Sequence, residues 1–487
     1  MCFKNLKYLL ILLPFVFVFV SCSGVNNYYS KLETFMAKEK YDNAQSLVDK
    51  SEKVYGKKNK LLYYLDLGLT LHLAKNYQQS NAAFEQAKEI YSLNYTKSIS
   101  QGAVSLFSND NVITYYGYPY EMAYASVFCA LNYILQGQDN EAVVEARQID
   151  NLFKKIKADS NGKAYYKDDG FVRYFMGLVY ENAGYYNDAL ISYKLALRNY
   201  NTNNSEKNKD YFIDAPDDLL CSLYTLYHKL GMSAEAEQLK TNFPEVKFFR
   251  YGQNKNSGEV IIVNYNGLSP KKIDNILEFS FYDAWPFFTA SAATSPDQEK
   301  VEQVFSAVRA GIATDFIKVA FPKYVRYDNE ITCFNVETVF TKENSQSISN
   351  SYLADDIALI METVLKNKNA AIYAKTIARS VARYVLTRVV SDQVRQQEKN
   401  GDHTLSILTR SILNITSSLL EKSDKRSWRT LPENINMARF SLPAGTHKLK
   451  INYMNNYKNI VATEQTEVIV EPDKKTFVIL NSFKPSN

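Results

Sequence analysis

The 487-residue sequence predicts an α+β protein, with an N-terminal superhelix of repeated helix pairs followed by a mixed region holding a small antiparallel β-sheet or sandwich and further helices. Three observations predict it. Small and aromatic residues recur at helical spacing from about residue 27 to 245, β-branched runs bounded by turns begin after Phe243-Pro244, and an apolar N-terminal run ends at a cysteine. Hydrophobic residues at 46% and charged residues at 22% sit near globular averages, which excludes long disorder, a polytopic membrane protein and a coiled-coil rod. With 57 basic against 52 acidic residues, the net charge of +5 is too even to predict a nucleic-acid partner.

Residues 1–21 read as a signal peptide. Lys4 and Lys7 form a positive n-region, and Tyr8 to Val20 is an apolar run of about 20 Å as a helix, short of the ~30 Å hydrocarbon core of a bilayer. The closing step Phe19-Val20-Ser21-Cys22-Ser23-Gly24 resembles the lipobox of bacterial lipoproteins, with Phe19 where Leu is usual. That resemblance implies cleavage before Cys22 and acylation of Cys22, which would hold the protein to a membrane without a spanning helix. Ser23, rather than Asp, then implies an outer-membrane location facing the periplasm. The remaining thiols, Cys129, Cys221 and Cys333, are odd in number, and the apolar contexts of the first two predict buried small hydrophobes rather than a disulfide.

The helical half, residues 22–245, carries the tetratricopeptide pattern of small and aromatic residues over paired helices. Gly177, Tyr180, Gly184, Ala189, Tyr193 and Ala196 fit it throughout; Gly68, Leu71, Ser80, Phe84 and Ala87 fit with Ser for the first Ala; Ala130, Tyr133, Gly137, Ala142 and Ala146 fit in part. Weaker copies surround Ala44 and Ala236, giving five repeats whose key small residues are 44, 80, 142, 189 and 236. The four intervals are 36, 62, 47 and 47 residues, so the last three carry insertions relative to the usual 34, one of them a loop or long extension over 93–120. Stacked pairs predict a concave face open to peptides or proteins, although each Tyr at helical spacing is first a core residue.

The half over 246–487 opens with Glu259 to Tyr265, a β-branched run between Gly258 and the Asn266-Gly267 turn. Further strands are predicted at Leu277 to Tyr282, Ile331 to Phe340, Leu449 to Tyr453, Glu464 to Val470 and Thr476 to Leu480. Between them Ile357, Ile360, Met361 and Val364 keep a helical rhythm, and a second helix is predicted over 370–396. On it Lys375, Arg379 and Arg383 form a basic row, readable as a lipid-headgroup or acidic-partner site, or as a solvated or acid-paired face. Leu405 to Leu420 is apolar enough for an amphipathic surface helix or for packing on the sheet.

The chain resembles a family of bacterial lipoproteins of uncharacterised activity with tetratricopeptide-like N-terminal halves. The likeness is carried by Leu65-Asp66-x-Gly68, Tyr120-Glu121, Val144-Glu145-Ala146-Arg147, Gly258-Glu259-Val260, Asn266-Gly267-Leu268-x-Pro270-x-Lys272, and Asp424-Lys425-Arg426-Ser427-Trp428 leading to Leu431-Pro432, with Lys425 where the family tends to have Thr. It implies a cell-wall or outer-membrane setting, since members are often encoded beside lipoproteins that assist penicillin-binding proteins. It implies no activity.

Candidate partner-binding or structural residues are therefore Asp66, Glu121, Glu145, Arg147, Arg379, Arg383, Arg426 and Trp428, with Cys22 for lipidation. Glu145 and Arg147 lie two apart on a helix and face different ways, so each needs its own partner, such as Asp66 or Glu121, either in an ionic network fixing repeat register or in a ligand site. Trp428 is placed either to stack on a sugar or guanidinium or to plug a sheet edge. His-Glu-x-x-His, Gly-x-Ser-x-Gly and the phosphate-loop patterns are missing, and four scattered His residues give metal chemistry little material, so no enzyme, cofactor or metal is predicted. The expectation is an envelope lipoprotein acting as a protein-protein scaffold, with a peptidoglycan- or polysaccharide-binding or -processing protein as the alternative.

Overall fold

Five helix pairs build the N-terminal half of the computed structural model, which describes residues 27–100, 113–159, 166, 168–201, 213–314, 316–341, 344–399 and 423–483. Cys22, the signal segment and residues 405–420 lie outside the described residues. The pairs are α1 (residues 27–37) with α2 (Tyr41–Asp49), α4 (Lys60–Leu73) with α5 (Tyr77–Ser100), α6 (Pro119–Leu135) with α7 (Asp139–Asp159), α8 (Gly170–Asn182) with α9 (Tyr186–Asn201), and α10 (Asp217–Lys229) with α11 (Ser233–Asn242). A one-turn helix, α3 (Glu52–Tyr55), separates the first two pairs. Each pair turns through one left-handed residue, at Glu39, Lys75, Gly137, Gly184 and Gly231, with φ of 56°, 63°, 71°, 82° and 74°. Every one lies five positions before its key small residue. The tetratricopeptide-like reading of this half is thus written in the backbone as well as in the side chains.

The small-then-aromatic spacing has a direct cause. A Cβ on Gly177 would come within 2.2 Å of the Tyr193 ring, and one on Gly68 within 2.6 Å of the Phe84 ring. Glycine on the first helix lets an aromatic ring of the second lie against its backbone. In the third pair Ala130 and Ala146 stand at the same sixteen-residue separation, exchanging a ring for a methyl where the first helix carries a Cβ.

The C-terminal half holds two four-stranded sheets and a ribbon. The first sheet runs in the order β10 (Lys475–Ser482), β1 (Ser257–Leu268), β7 (Pro432–Pro443), β6 (Tyr352–Asp355). The second runs β5 (Asn344–Asn350), β4 (Cys333–Thr341), β8 (Gly445–Met454), β9 (Ile460–Val470). Among the described residues all pairings are antiparallel except β1 with β10, which the expectation of an antiparallel assembly did not contain. Val260 and Ile262 of β1, with Ala438, Phe440 and Leu442 of β7, meet Phe334, Val336, Leu449 and Ile451 of the second sheet, making a sandwich core. The alternate residues, Ile261, Val263 and Tyr265 of β1 and Ile435 and Met437 of β7, join the core of the helix pairs. The order of layers is therefore helices, first sheet, second sheet. All twelve residues of β1 are buried, because both of its faces are covered.

A satellite core completes the half. The ribbon of β2 (Lys271–Ser280) and β3 (Phe316–Val325) carries α12 (Phe281–Ala292) and α13 (Gln298–Arg309) between its strands. The predicted strand 277–282 is corrected at its end: the Ser280 hydroxyl accepts from the Asp283 N–H, so the chain turns helical at Phe281. The two helices predicted after 357 are one, α14 (Ile357–Lys399), about 65 Å long at 1.5 Å per residue. Its first half packs Ile357, Ile360, Met361 and Val364 into the helical-repeat core, and its second half packs Ile377, Val381 and Val385 into the satellite core. Among the described residues, no helix is long and apolar enough to cross a membrane.

Candidate functional site: the inner face of the helix pairs

The first helices of the pairs, α4, α6, α8 and α10, share one face, and that face meets the first sheet rather than solvent. Phe128 of α6 lies 5.4 Å from the Tyr265 ring of β1 and 6.0 Å from the Trp428 ring, with Phe84 also 6.0 Å from Trp428. Tyr200 donates to the Ala354 carbonyl at 2.9 Å, and Tyr124 donates to Asp355, both at β6. The expected open groove is therefore filled by the chain's own C-terminal half. The physical reason is that the first helices are predominantly apolar and buried on nearly every side, so their inner surface needs a cover as extensive as the first sheet.

Four polar nodes pin this interface. Asp66 of α4, fully buried, accepts from the Tyr55 hydroxyl at 2.7 Å and from the Thr430 hydroxyl and N–H at 2.8 and 3.2 Å. Burial pushes its carboxyl up to about 6, with the hydrogen bonds from Tyr55 and Thr430 opposing. Glu121 accepts from the Tyr115 hydroxyl at 2.7 Å and from the Tyr118 N–H at 2.9 Å, closing the start of α6 as a capping box. Burial raises it to about 7. His72 of α4 reaches Asn132 Oδ1 at 2.5 Å through Nδ1 and the Tyr265 hydroxyl at 2.9 Å through Nε2. Since the Asn132 amide nitrogen already donates to Ser80 and Asn81, its oxygen is the acceptor, so His72 carries its proton on Nδ1 and accepts from Tyr265. Burial lowers His72 to about 4, so the ring is neutral at pH 7.

The fourth node was not anticipated from the sequence. Arg439 of β7, its side chain wholly enclosed, pairs with Glu259 of β1 at 2.5 Å and Glu181 of α8 at 3.4 Å, and donates to Ser222 of α10 at 2.7 Å. Lys475 of β10 bridges the same two carboxylates at 3.1 and 3.3 Å. Two cations and two anions balance, and although burial opposes it, Lys475 and Arg439 hold Glu181 below the ordinary carboxylate range. Beside it Asp218 accepts from Tyr174, Tyr251 and Tyr352 at 2.5, 2.5 and 2.7 Å. The signal for Arg439 was the alternation of Ile435, Met437 and Arg439 against Ala438, Phe440 and Leu442 between two prolines, a strand missing from the sequence reading.

The predicted residues are distributed around this interface. Arg426 pairs with Asp424 at 2.8 Å and donates to Asn59 Oδ1 and the Ile113 carbonyl at 3.1 and 2.8 Å, tying the segment before Trp428 to the helix pairs. The Trp428 ring is fully buried and donates to the Thr430 hydroxyl at 2.8 Å; it plugs the helical core rather than a sheet edge and presents no face to a sugar. Glu145 pairs with Lys88 at 2.8 Å, and Arg147 lies exposed over the Tyr185 ring at 5.6 Å, so neither meets Asp66 or Glu121. Those two carboxylates point inward, toward the sheet, whereas α7 is an outer helix. Arg379 is buried against the satellite core and Arg383 half-buried, which turns the basic row inward rather than into a solvated face.

Among the described residues, Glu85, Cys129 and Glu145 form one group with metal-ligand spacing. Lys88 Nζ stands among them, 2.5 Å from Glu85 and 2.8 Å from Glu145. The ammonium supplies the cation, and the residues do not fit a metal as well.

No protein-family model matches the chain, and no curated protein matches it. Among solved structures it is similar to apo RapI, at 13% identity and a TM-score of 0.33 over 45% of this chain and 52% of that one. It is similar to MamA of AMB-1, at 16% identity and 0.25 over 45% and 97%. It is also similar to the nearly identical TPR-like repeats of a Podosopora anserina kinesin light chain protein, at 12% identity and 0.29 over 46% and 95%. At such values the repeat assignment rests on this chain's own turns, glycine contacts and helix pairs.

Proposed function

We propose that the protein is a membrane-anchored envelope lipoprotein that serves as a non-catalytic scaffold for other envelope proteins, held to the outer membrane through acylated Cys22 and facing the periplasm. The observation that carries the reading is the sequence step Val20-Ser21-Cys22 at the close of a thirteen-residue apolar run. The helix pairs support the scaffold part, with one revision: the inner face is covered, so partners meet the outer helices, the second sheet or the satellite module. The glycan alternative leaned on Trp428, whose enclosed ring leaves it without that contact. In-cell crosslinking and membrane fractionation of the native chain beside Cys22→Ala test the proposal. It expects the native chain in the outer-membrane fraction with envelope proteins crosslinked, and the variant released; identical fractionation and partners for both would overturn it.

A further inference from the structure

The satellite module carries exposed apolar side chains of a kind a wholly solvated surface does not need. Tyr282 is 80% exposed, Phe316 64% and Ile276 63%. Ser280 pairs with Phe316 at the far end of the ribbon, and Tyr282 follows Ser280 by two residues, so the two rings belong to one corner. Phe316 opposite Ser280 and Ile276 opposite Ala320 lie on the same ribbon face, separated by the Glu278–Lys318 ion pair at 3.2 Å. Phe287 of α12, on the turn after Tyr282, is exposed as well. The opposite ribbon face is mostly covered: Ile317, Val319 and Phe321 fill the satellite core against α12, α13 and α14, with Leu277 and Ile273 at its margin 38% and 39% exposed.

We propose that this corner and ribbon face dock on the lipid bilayer, a site that rests on the anchored reading given above. Two observations select lipid over a protein. The first is the short tether. Four residues, 23–26, separate Cys22 from the start of α1, so Asn27, five chain steps on, stays within about 18 Å of the acylated cysteine. From α1, Glu33 accepts from the Tyr327 hydroxyl at 2.8 Å, two residues beyond the end of β3. The anchor therefore leaves the protein beside the base of this ribbon, and a ribbon lying along the surface brings its apolar face to the same bilayer. The second is the chemistry of the patch: Tyr prefers the headgroup boundary, where its ring is shielded and its hydroxyl stays wet, and Phe beside it adds apolar area to bury. The paired Glu278 and Lys318 cancel, so docking needs no anionic lipid.

The two tryptophans make the test direct. Trp285 lies in α12, half-buried, its ring 5.7 Å from Phe281 and 5.1 Å from Phe288, whereas Trp428 is fully buried in the helical core. The acylated full chain is reconstituted in phosphatidylethanolamine–phosphatidylglycerol vesicles with and without brominated acyl chains, and tryptophan emission is compared. Docking predicts that bromine quenches the wild type, that Trp285→Phe removes the quenching, and that Tyr282→Ser with Phe316→Ser reduces it at least twofold while the protein still floats with the vesicles. Flotation without quenching, or quenching unchanged in the double variant, would overturn the docking and leave the anchor intact. Loss of flotation in the wild type would instead overturn the anchored reading, and the docking with it.

Discussion

The inner and outer helices of the pairs have opposite fates. Twelve of the thirteen residues of α8 are buried, whereas its partner α9 buries a stripe through Ala189, Tyr193, Ala196 and Tyr200 and leaves Ile191 57% exposed. A helix with one buried stripe needs one neighbour; a helix buried all round needs two. For α4, α6, α8 and α10 the second neighbour is the first sheet, so the surface that repeat proteins commonly offer to partners is here an internal interface.

The difference ranks the effects of substitution. Trp428→Ala, which empties the space between Phe84 and Phe128 and removes the donor to Thr430, is expected to cost about 3–5 kcal/mol in urea denaturation, with helical and sheet signals lost together. Sequential loss of the two signals would mean that the halves are separate folding units. Gly177→Ala is expected to cost roughly 1–3 kcal/mol or more, because its methyl meets the Tyr193 ring at 2.2 Å. Pairing it with Tyr193→Ala should recover part of the loss if that contact is the cause.

Asp66 sharpens the comparison through pH. Its folded-state pKa of about 6 lies above the ordinary 3.8, so the folded chain keeps a proton that the unfolded chain releases. The contribution is fully present below about pH 4 and is lost as pH rises through 6, a span worth roughly 3 kcal/mol. Asp66→Asn does not ionise, so its stability measured from pH 4 to 7 should run flatter than that of the wild type; parallel curves would show that Asp66 is not the titrating group. On the outer face the effect should almost vanish. Ile191→Ser, at an exposed position of α9, is expected to change stability by under about 0.5 kcal/mol.

Much of this was legible in local spacing. The five repeats, their small residues and the strands at 259–265, 449–453 and 464–470 are short-range patterns, and each formed as the residue periods predicted. What escaped was non-local. Strand β7, missing from the sequence reading, has two prolines at its ends and Arg439 inside, and the partners Glu181, Glu259 and Ser222 come to that arginine from three other elements. Likewise nothing local to Asp66 names Thr430, a residue 364 positions away. The polar residues chosen as possible ligand contacts, Asp66, Glu121, Arg426 and Trp428, do cluster, but around the seam between helices and sheet. Their chemistry was readable; whether it faced a partner or the chain itself was decided by the sheet that covers them.

Hydrogen exchange followed by mass spectrometry on the full chain tests that seam most directly. Amides of α4, α6, α8 and α10 should exchange last and at the same rate as those of β1 and β7, because opening either side exposes the other, while α5, α7, α9 and α11 exchange sooner. Fast exchange of the inner helices with β1 and β7 still protected would contradict the account, since it would mean that the inner face opens to solvent without disturbing the sheet.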